Sequence, residues 1–206
     1  MSSPTSASPS DEPSRHARDP TIFTVGHGAR PIDEFLQLLR GAAIELLVDV
    51  RIAPGSRKHP QFGKDALSAS LNGAEIAYEW HKELGGFRKP RSDSRHTALR
   101  SSGFRGYADY METPEFHEAL SSLVERGRDR RTAVMCAESL WWRCHRRMIA
   151  DALLVAGCDV VHLMSAGRRE PHDLNPVGRV EGETLVYDVE VGQGDLLADE
   201  PRTKES

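Results

Sequence analysis

Residues 134–151, VMCAESLWWRCHRRMIAD, place two thiols, two carboxylates, an imidazole and three arginines within one short span. Cys136 closes an apolar run, Glu138 follows two residues on, and Cys144, His145 and Arg146 open a segment with helical spacing. A cysteine becomes a nucleophile when a helix N-terminus or nearby positive charge lowers its pKa. Arg143, His145 and Arg146, with a helix beginning near Cys144, supply both conditions for Cys136. The competing reading is a small apolar residue at the end of a strand. The same helix start favours an anion beside Cys144 and His145, because its free N–H groups and dipole point outward.

Other chemistries fit this span less well. A phosphatase-type cysteine loop would need its arginine where Trp142 stands, and Arg143 comes one residue late. Cys136, Cys144, His145 and His27 are zinc ligands by type. No CxxC pair is present, however, and the adjacent side chains of Cys144 and His145 are expected to diverge, so no metal is assigned. A Cys136–Cys144 redox disulfide lacks the tight spacing of redox motifs.

A second group lies upstream. Asp49 and Arg51 are separated by one residue and therefore face the same side of a strand. They form either a structural ion pair or an anion-binding arginine oriented by its carboxylate, with Ser56 in the basic loop beyond. The planar fork of arginine matches phosphate or carboxylate. His27 follows a β-rich run in TIFTVGHG, and His162 sits within DVVHLMS.

The elements that position these groups can be read from hydrophobic spacing. Strands are expected at 21–28, 44–51, 76–81, 131–138 and 159–165, and an extended piece at 183–189 is a candidate edge strand. Helices are expected over 31–43, around 64–74, over about 107–126 with a restart at Thr113-Pro114, and over 144–157. The segment 84–103 reads as a long loop. Strands alternating with amphipathic helices specify an α/β fold, a single three-layer domain with a mainly parallel sheet of about five strands. In such sheets ligands bind beyond the carboxyl ends of the strands. His27, Asp49, Arg51, Cys136, Glu138 and His162 all fall at or near that edge.

The 206 residues, 38% apolar and 28% charged, suit one domain without a membrane span. The polar, Ser- and Pro-rich residues 1–20 and the acidic residues 191–206 read as disordered tails around a domain at 21–190. Three cysteines are too few and odd in number for a secreted disulfide framework, which implies a cytoplasmic protein with reduced thiols. The net charge of −4 conceals a basic middle: Arg51 to Arg105 holds 11 Lys/Arg against 5 Asp/Glu. That excess suits an anionic partner if folding gathers it on one face.

TVGHG before a helix, VDVRIAPGSRKHPQF, LGG, YADYM, MCAE…CHRRMIAD and VVHL closely resemble the pattern of the family catalogued as domain of unknown function 488. The resemblance covers residues 22 to about 176. It implies a shared polar set at His27, Asp49, Arg51, Ser56, Cys136, Glu138, Cys144, His145, Arg146 and His162. One departure is Gly28, where the family pattern usually has serine, so no hydroxyl nucleophile is expected there. The resulting expectation is an enzyme acting on a phosphate-bearing or other anionic substrate, such as a nucleotide or nucleic acid. In it Cys136 or Glu138 reacts, His27 or His145 moves protons, and Arg51 and Arg146 bind the anion. A non-catalytic nucleic-acid-binding module using loops 51–64 and 84–105 is the alternative, and a metal-binding protein the third. The sequence names no cofactor and no oligomeric state.

Overall fold

The computed structural model describes residues 20–55 and 57–190. The tails expected at 1–20 and 191–206 therefore fall, but for Pro20, outside the described residues, as does Ser56. The chain runs β1 (Thr21–Gly26), α1 (Ile32–Gly41), β2 (Leu46–Asp49), α2 (Lys64–Asn72), β3 (Ala77–Trp80), α3 (Ser102–Met111) and α4 (Pro114–Asp129). It continues through β4 (Thr132–Cys136), α5 (Arg146–Val155), β5 (Asp159–Ser165), β6 (Arg168–Pro171), β7 (Gly178–Glu181) and β8 (Thr184–Tyr187).

Six strands form one sheet in the order β3-β2-β4-β1-β5-β6; the first five are mutually parallel and β6 is antiparallel to β5. The sheet thus has one strand more than expected. Arg168–Pro171 is short, polar and mostly exposed, so it carries no apolar pattern to betray it. Its proline is tolerated because it lies on an edge. The expected edge strand at 183–189 is instead β8, which pairs with β7 in a separate hairpin turning at Gly182, where φ is +64°. Leu185 and Tyr187 of that hairpin join the hydrophobic core beside α5.

Connections β1→β2 and β2→β3 step one way along the sheet, and β3→β4 and β4→β5 step the other. Right-handed crossovers send such oppositely directed connections to opposite faces. Accordingly, Phe35 and Leu39 of α1 and Leu67 and Leu71 of α2 pack on Phe23, Leu47 and Met135. Tyr107, Leu123 and Leu153 of α3, α4 and α5 pack with Ile22, Val48 and Val134 on the other face. Three layers result. Burial on both faces explains the continuous apolar runs of β1, β2 and β4. Each fully buried Val, Leu, Ile or Phe contributes about 1.5–3 kcal/mol relative to exposure.

The break inside the 107–126 segment is built by Thr113, whose hydroxyl accepts from Phe116 N–H at the start of α4, and by Pro114 at the first helical position. The segment before α3 is irregular but pinned: Tyr107 donates to Leu84 O (2.8 Å), and the N–H of Arg91 donates to Asp109 Oδ2 (2.7 Å). No helix among the described residues is long and apolar enough to cross a membrane.

Candidate functional site

Because β4 lies between β2 and β1 while its following helix occupies the opposite face from theirs, the chain parts around the carboxyl end of β4. A crevice forms at such a switch point. Gly26 pairs with Cys136 and Asp49 with Met135, so three strands end level there. The loop after β4 is strapped to the loop after β1: His27 N–H donates to Cys136 O (3.1 Å) and Gly28 N–H to Ala137 O (2.9 Å). This approach requires glycine at position 26, where a Cβ would sit 2.0 Å from Glu138 O.

The crevice opens into a cleft of ≈ 870 Å³. His27, Arg51, Cys136, Glu138, Cys144 and His145 all line it. Its described charged lining is Arg51, Lys58 and Arg143 against one carboxylate, Glu138, so the potential inside favours an anion.

Arg51 is held for that task. Its Nε and Nη2 donate to Asp49 Oδ1 (2.9 Å) and Oδ2 (2.6 Å), and its backbone N–H donates to Oδ1 (3.0 Å). Asp49 is fully buried and also accepts from Tyr78 Oη (2.9 Å). Asp49 therefore lies beneath Arg51 rather than in the cleft, and acts by fixing the guanidinium. The remaining Nη1 lies 3.4 Å from His27 Nε2. His27 Nδ1 is 2.8 Å from Gly28 O, which makes Nδ1 the protonated nitrogen and leaves Nε2 a lone pair. Burial, reinforced by Arg51, lowers the His27 pKa to about 4, so the ring is neutral near pH 7.

Across the cleft, Cys136, Cys144 and His145 converge. His145 Nδ1 lies 3.9 Å from Cys136 Sγ and 3.5 Å from Cys144 Sγ. The expected divergence of Cys144 and His145 does not occur. Cys144 is extended (φ −127°, ψ 153°) and His145 helical (φ −59°, ψ −15°), and this change of backbone turns both side chains to one point. The two thiols are shifted in opposite directions. Hydrogen bonding to Cys144, then burial, pushes the Cys136 thiol well up; accepting that bond, with His145 and Arg146 nearby, holds Cys144 well below the usual thiol range. Of the two, Cys144 is therefore the more acidic sulfur.

Two of the expected substrate contacts lie elsewhere. Arg146 is buried (1% exposed); its Nη2 donates to the carbonyls of Glu138 and Ser139 and its Nη1 to Thr24 Oγ1 (3.5 Å). Fully buried His162 takes no part in lining the cleft. Its Nδ1 is 2.6 Å from Thr24 Oγ1, its Nε2 is 3.0 Å from His172 Nδ1, and His172 Nε2 is 3.0 Å from Asp151 Oδ1. Only one direction satisfies every donor: Arg146 to Thr24 to His162 to His172 to the Asp151 carboxylate. Burial, His172 and Arg146 lower the His162 pKa to about 2. The chain anchors Arg146, and Arg146 anchors the 137–139 loop that carries Glu138.

Thr24, Tyr78, Asp151 and His172 escaped the sequence reading. Tyr78 was reachable, because β3 neighbours β2 and Tyr78 shares a sheet face with Trp80, the register partner of Asp49. The other three sit inside elements or loops with no local signal.

No curated protein and no solved structure matches the chain. The model of the family described as domain of unknown function DUF488 matches residues 31–153, which takes in Asp49, Arg51, Cys136, Glu138 and the Cys144–Arg146 triplet and leaves out His27 and His162. Since that match spans more than half of the 206 residues, the chain belongs to the DUF488 family.

Proposed function

We propose that this protein is an enzyme acting on a phosphate-bearing or otherwise anionic substrate. Arg51 binds the anionic group and presents the reacting atom to the centre formed by Cys136, Cys144 and His145. The observation that carries this reading is Arg51 itself: a guanidinium clamped by a buried carboxylate, with its free edge in a cleft whose other wall is a sulfur–imidazole cluster. Pre-orienting the fork lowers the ordering cost of binding and suits a bidentate oxyanion. An anion on Arg51 raises the proton affinity of the adjacent His27 Nε2, which makes His27 the proton acceptor in the loaded site. Glu138, exposed at the rim, exchanges that proton with water. A centre with an anionic sulfur needs reduced thiols, consistent with a cytoplasmic setting.

The reading as a nucleic-acid-binding module has weaker support. Arg91 and Arg95 of the basic loop are paired with Glu112 (2.7 and 2.8 Å), and Arg95 also with Glu181 (2.7 Å). Those cations are committed to holding the loop on α3 and the β7–β8 hairpin.

Calorimetric titration with inorganic pyrophosphate and a nucleoside diphosphate tests the proposal. Wild-type protein should bind, Arg51→Lys should weaken binding about tenfold or more through loss of the fork, and Cys144→Ser should still bind. A panel of phosphate esters should yield products with wild type and none with Cys144→Ser. Binding without turnover across the panel, or binding indifferent to Arg51, overturns it.

A further inference from the structure

We infer that Cys136, Cys144 and His145 form a zinc site, with two thiolates and one imidazole as ligands and the fourth position open to the cleft. The donor atoms of the three lie within 4.8 Å of one another. Tetrahedral zinc, with Zn–S about 2.3 Å and Zn–N about 2.0–2.1 Å, sets sulfur and nitrogen about 3.6 Å apart. The two sulfur-to-nitrogen distances, 3.5 and 3.9 Å, bracket that value. The objection from sequence adjacency disappears with the extended-to-helical change at Cys144 and His145.

Two further observations concern the space around the donors. Gly86 lies against the imidazole, and a Cβ there would come 3.1 Å from Nδ1, the nitrogen facing the sulfurs. Glycine leaves that edge clear for a fourth ligand arriving from the cleft. The other nitrogen, Nε2, is buried without a hydrogen-bond acceptor, so packing on the Tyr107 ring, 5.3 Å between centroids, orients the imidazole. Three protein ligands plus an open position are the composition of catalytic rather than structural zinc.

The inference rests on the reading of Arg51 as the anion holder and names the reaction class, hydrolysis. Zinc-bound water loses its proton near neutral pH. Its oxygen forms a bond to the electrophilic atom of the anion on Arg51, the bond to the leaving group breaks with its electron pair, and the water proton passes through His27 or Glu138 to that leaving group.

The test is metal analysis of the protein purified from zinc-supplemented medium, followed by removal of metal and titration with cobalt(II). One equivalent of zinc is expected in the wild-type protein. The cobalt form should show sulfur-to-metal charge-transfer absorption and tetrahedral ligand-field bands. Cys136→Ser and Cys144→Ser should each lower zinc affinity by about 100-fold or more, while Cys158→Ser leaves it unchanged. Wild-type cobalt spectra decide the matter even if the serine variants fail to fold. An octahedral spectrum, no bound equivalent, or affinity indifferent to both cysteines overturns the site. Arg51→Lys separates the two readings: it should keep full metal content while binding pyrophosphate about tenfold or more weakly. Metal without anion binding in the wild type would sink the anion reading, and anion binding without metal would sink this one.

Discussion

Lowering the pH from about 7 to about 4.5 should remove about 5 kcal/mol of folding stability, through two histidines that are neutral in the fold. The His162 pKa is depressed to about 2 and that of His27 to about 4, from 6.5. His162 faces Thr24, His172, the stacked Trp141 ring and, beyond Thr24, the Arg146 guanidinium; His27 faces Arg51, Asp49, His59 and Phe62. Both are buried beside an arginine, so the fold opposes their charged forms. Unfolding releases both to take up a proton once the pH is below 6.5. Stability is therefore complete above that pH and falls as pH drops, by about 1.4 kcal/mol per unit for each ring. Glu112, held low by Arg95 and Arg91, adds its own loss only below its ordinary range near 4.5. Against a typical total of about 5–15 kcal/mol the histidine effect is large. Urea unfolding across this range should show uptake of at least about two protons per molecule near pH 5, and about one fewer in His162→Gln; buried His96, also held low by burial, adds to the uptake. A stability constant to within about 1 kcal/mol would contradict the buried neutral assignment.

Asp49→Ala should destabilise the protein by about 3–5 kcal/mol, because it leaves Arg51 buried without its counter-charge. Arg51 is 7% exposed and Asp49 wholly buried, and Tyr78 would lose its acceptor as well. Arg51→Ala should cost a similar amount, since the buried Asp49 carboxylate would lose its counter-charge and keep only Tyr78 and the backbone N–H of residue 51. Asp49→Leu combined with Arg51→Met should recover much of the loss, as a well-packed apolar pair replaces a buried ion pair. That double variant should still bind no pyrophosphate, which separates the structural from the functional part of Arg51. Chemical denaturation of the variants checks this. A cost below about 1 kcal/mol for Asp49→Ala would mean that Arg51 finds water or another partner and is not pre-oriented.

Where burial is two-sided, hydrophobic runs made the fold legible. The strand expected at 159–165 is Asp159–Ser165, and the helix over 31–43 is Ile32–Gly41 within its ends. Legibility failed at the sheet's edge: Arg168–Pro171 pairs through its backbone and needs no apolar side chains, while Thr184–Tyr187 finds its partner in a hairpin. Strand ends likewise marked out His27, Arg51 and Cys136 as lining one cleft, because position on a parallel sheet follows from strand direction. Depth did not follow. Arg146 and His162 carry the same residue types as the cleft lining but are turned into the core by a shared partner, Thr24, that is distant from both in sequence. The sulfur pair was also unreadable in detail, since its approach to one imidazole depends on the backbone bend at Cys144.

An anion held by Arg51 should cover the sulfur centre. The deciding measurement is the alkylation rate of Cys144 in metal-stripped protein, followed by mass spectrometry with increasing inorganic pyrophosphate. Saturable protection of Cys144 is expected, with buried Cys158 unaffected as the internal reference and protection shifted to about tenfold or more higher pyrophosphate in Arg51→Lys. Alkylation of Cys144 at the same rate with and without pyrophosphate in the wild-type protein would contradict a shared site.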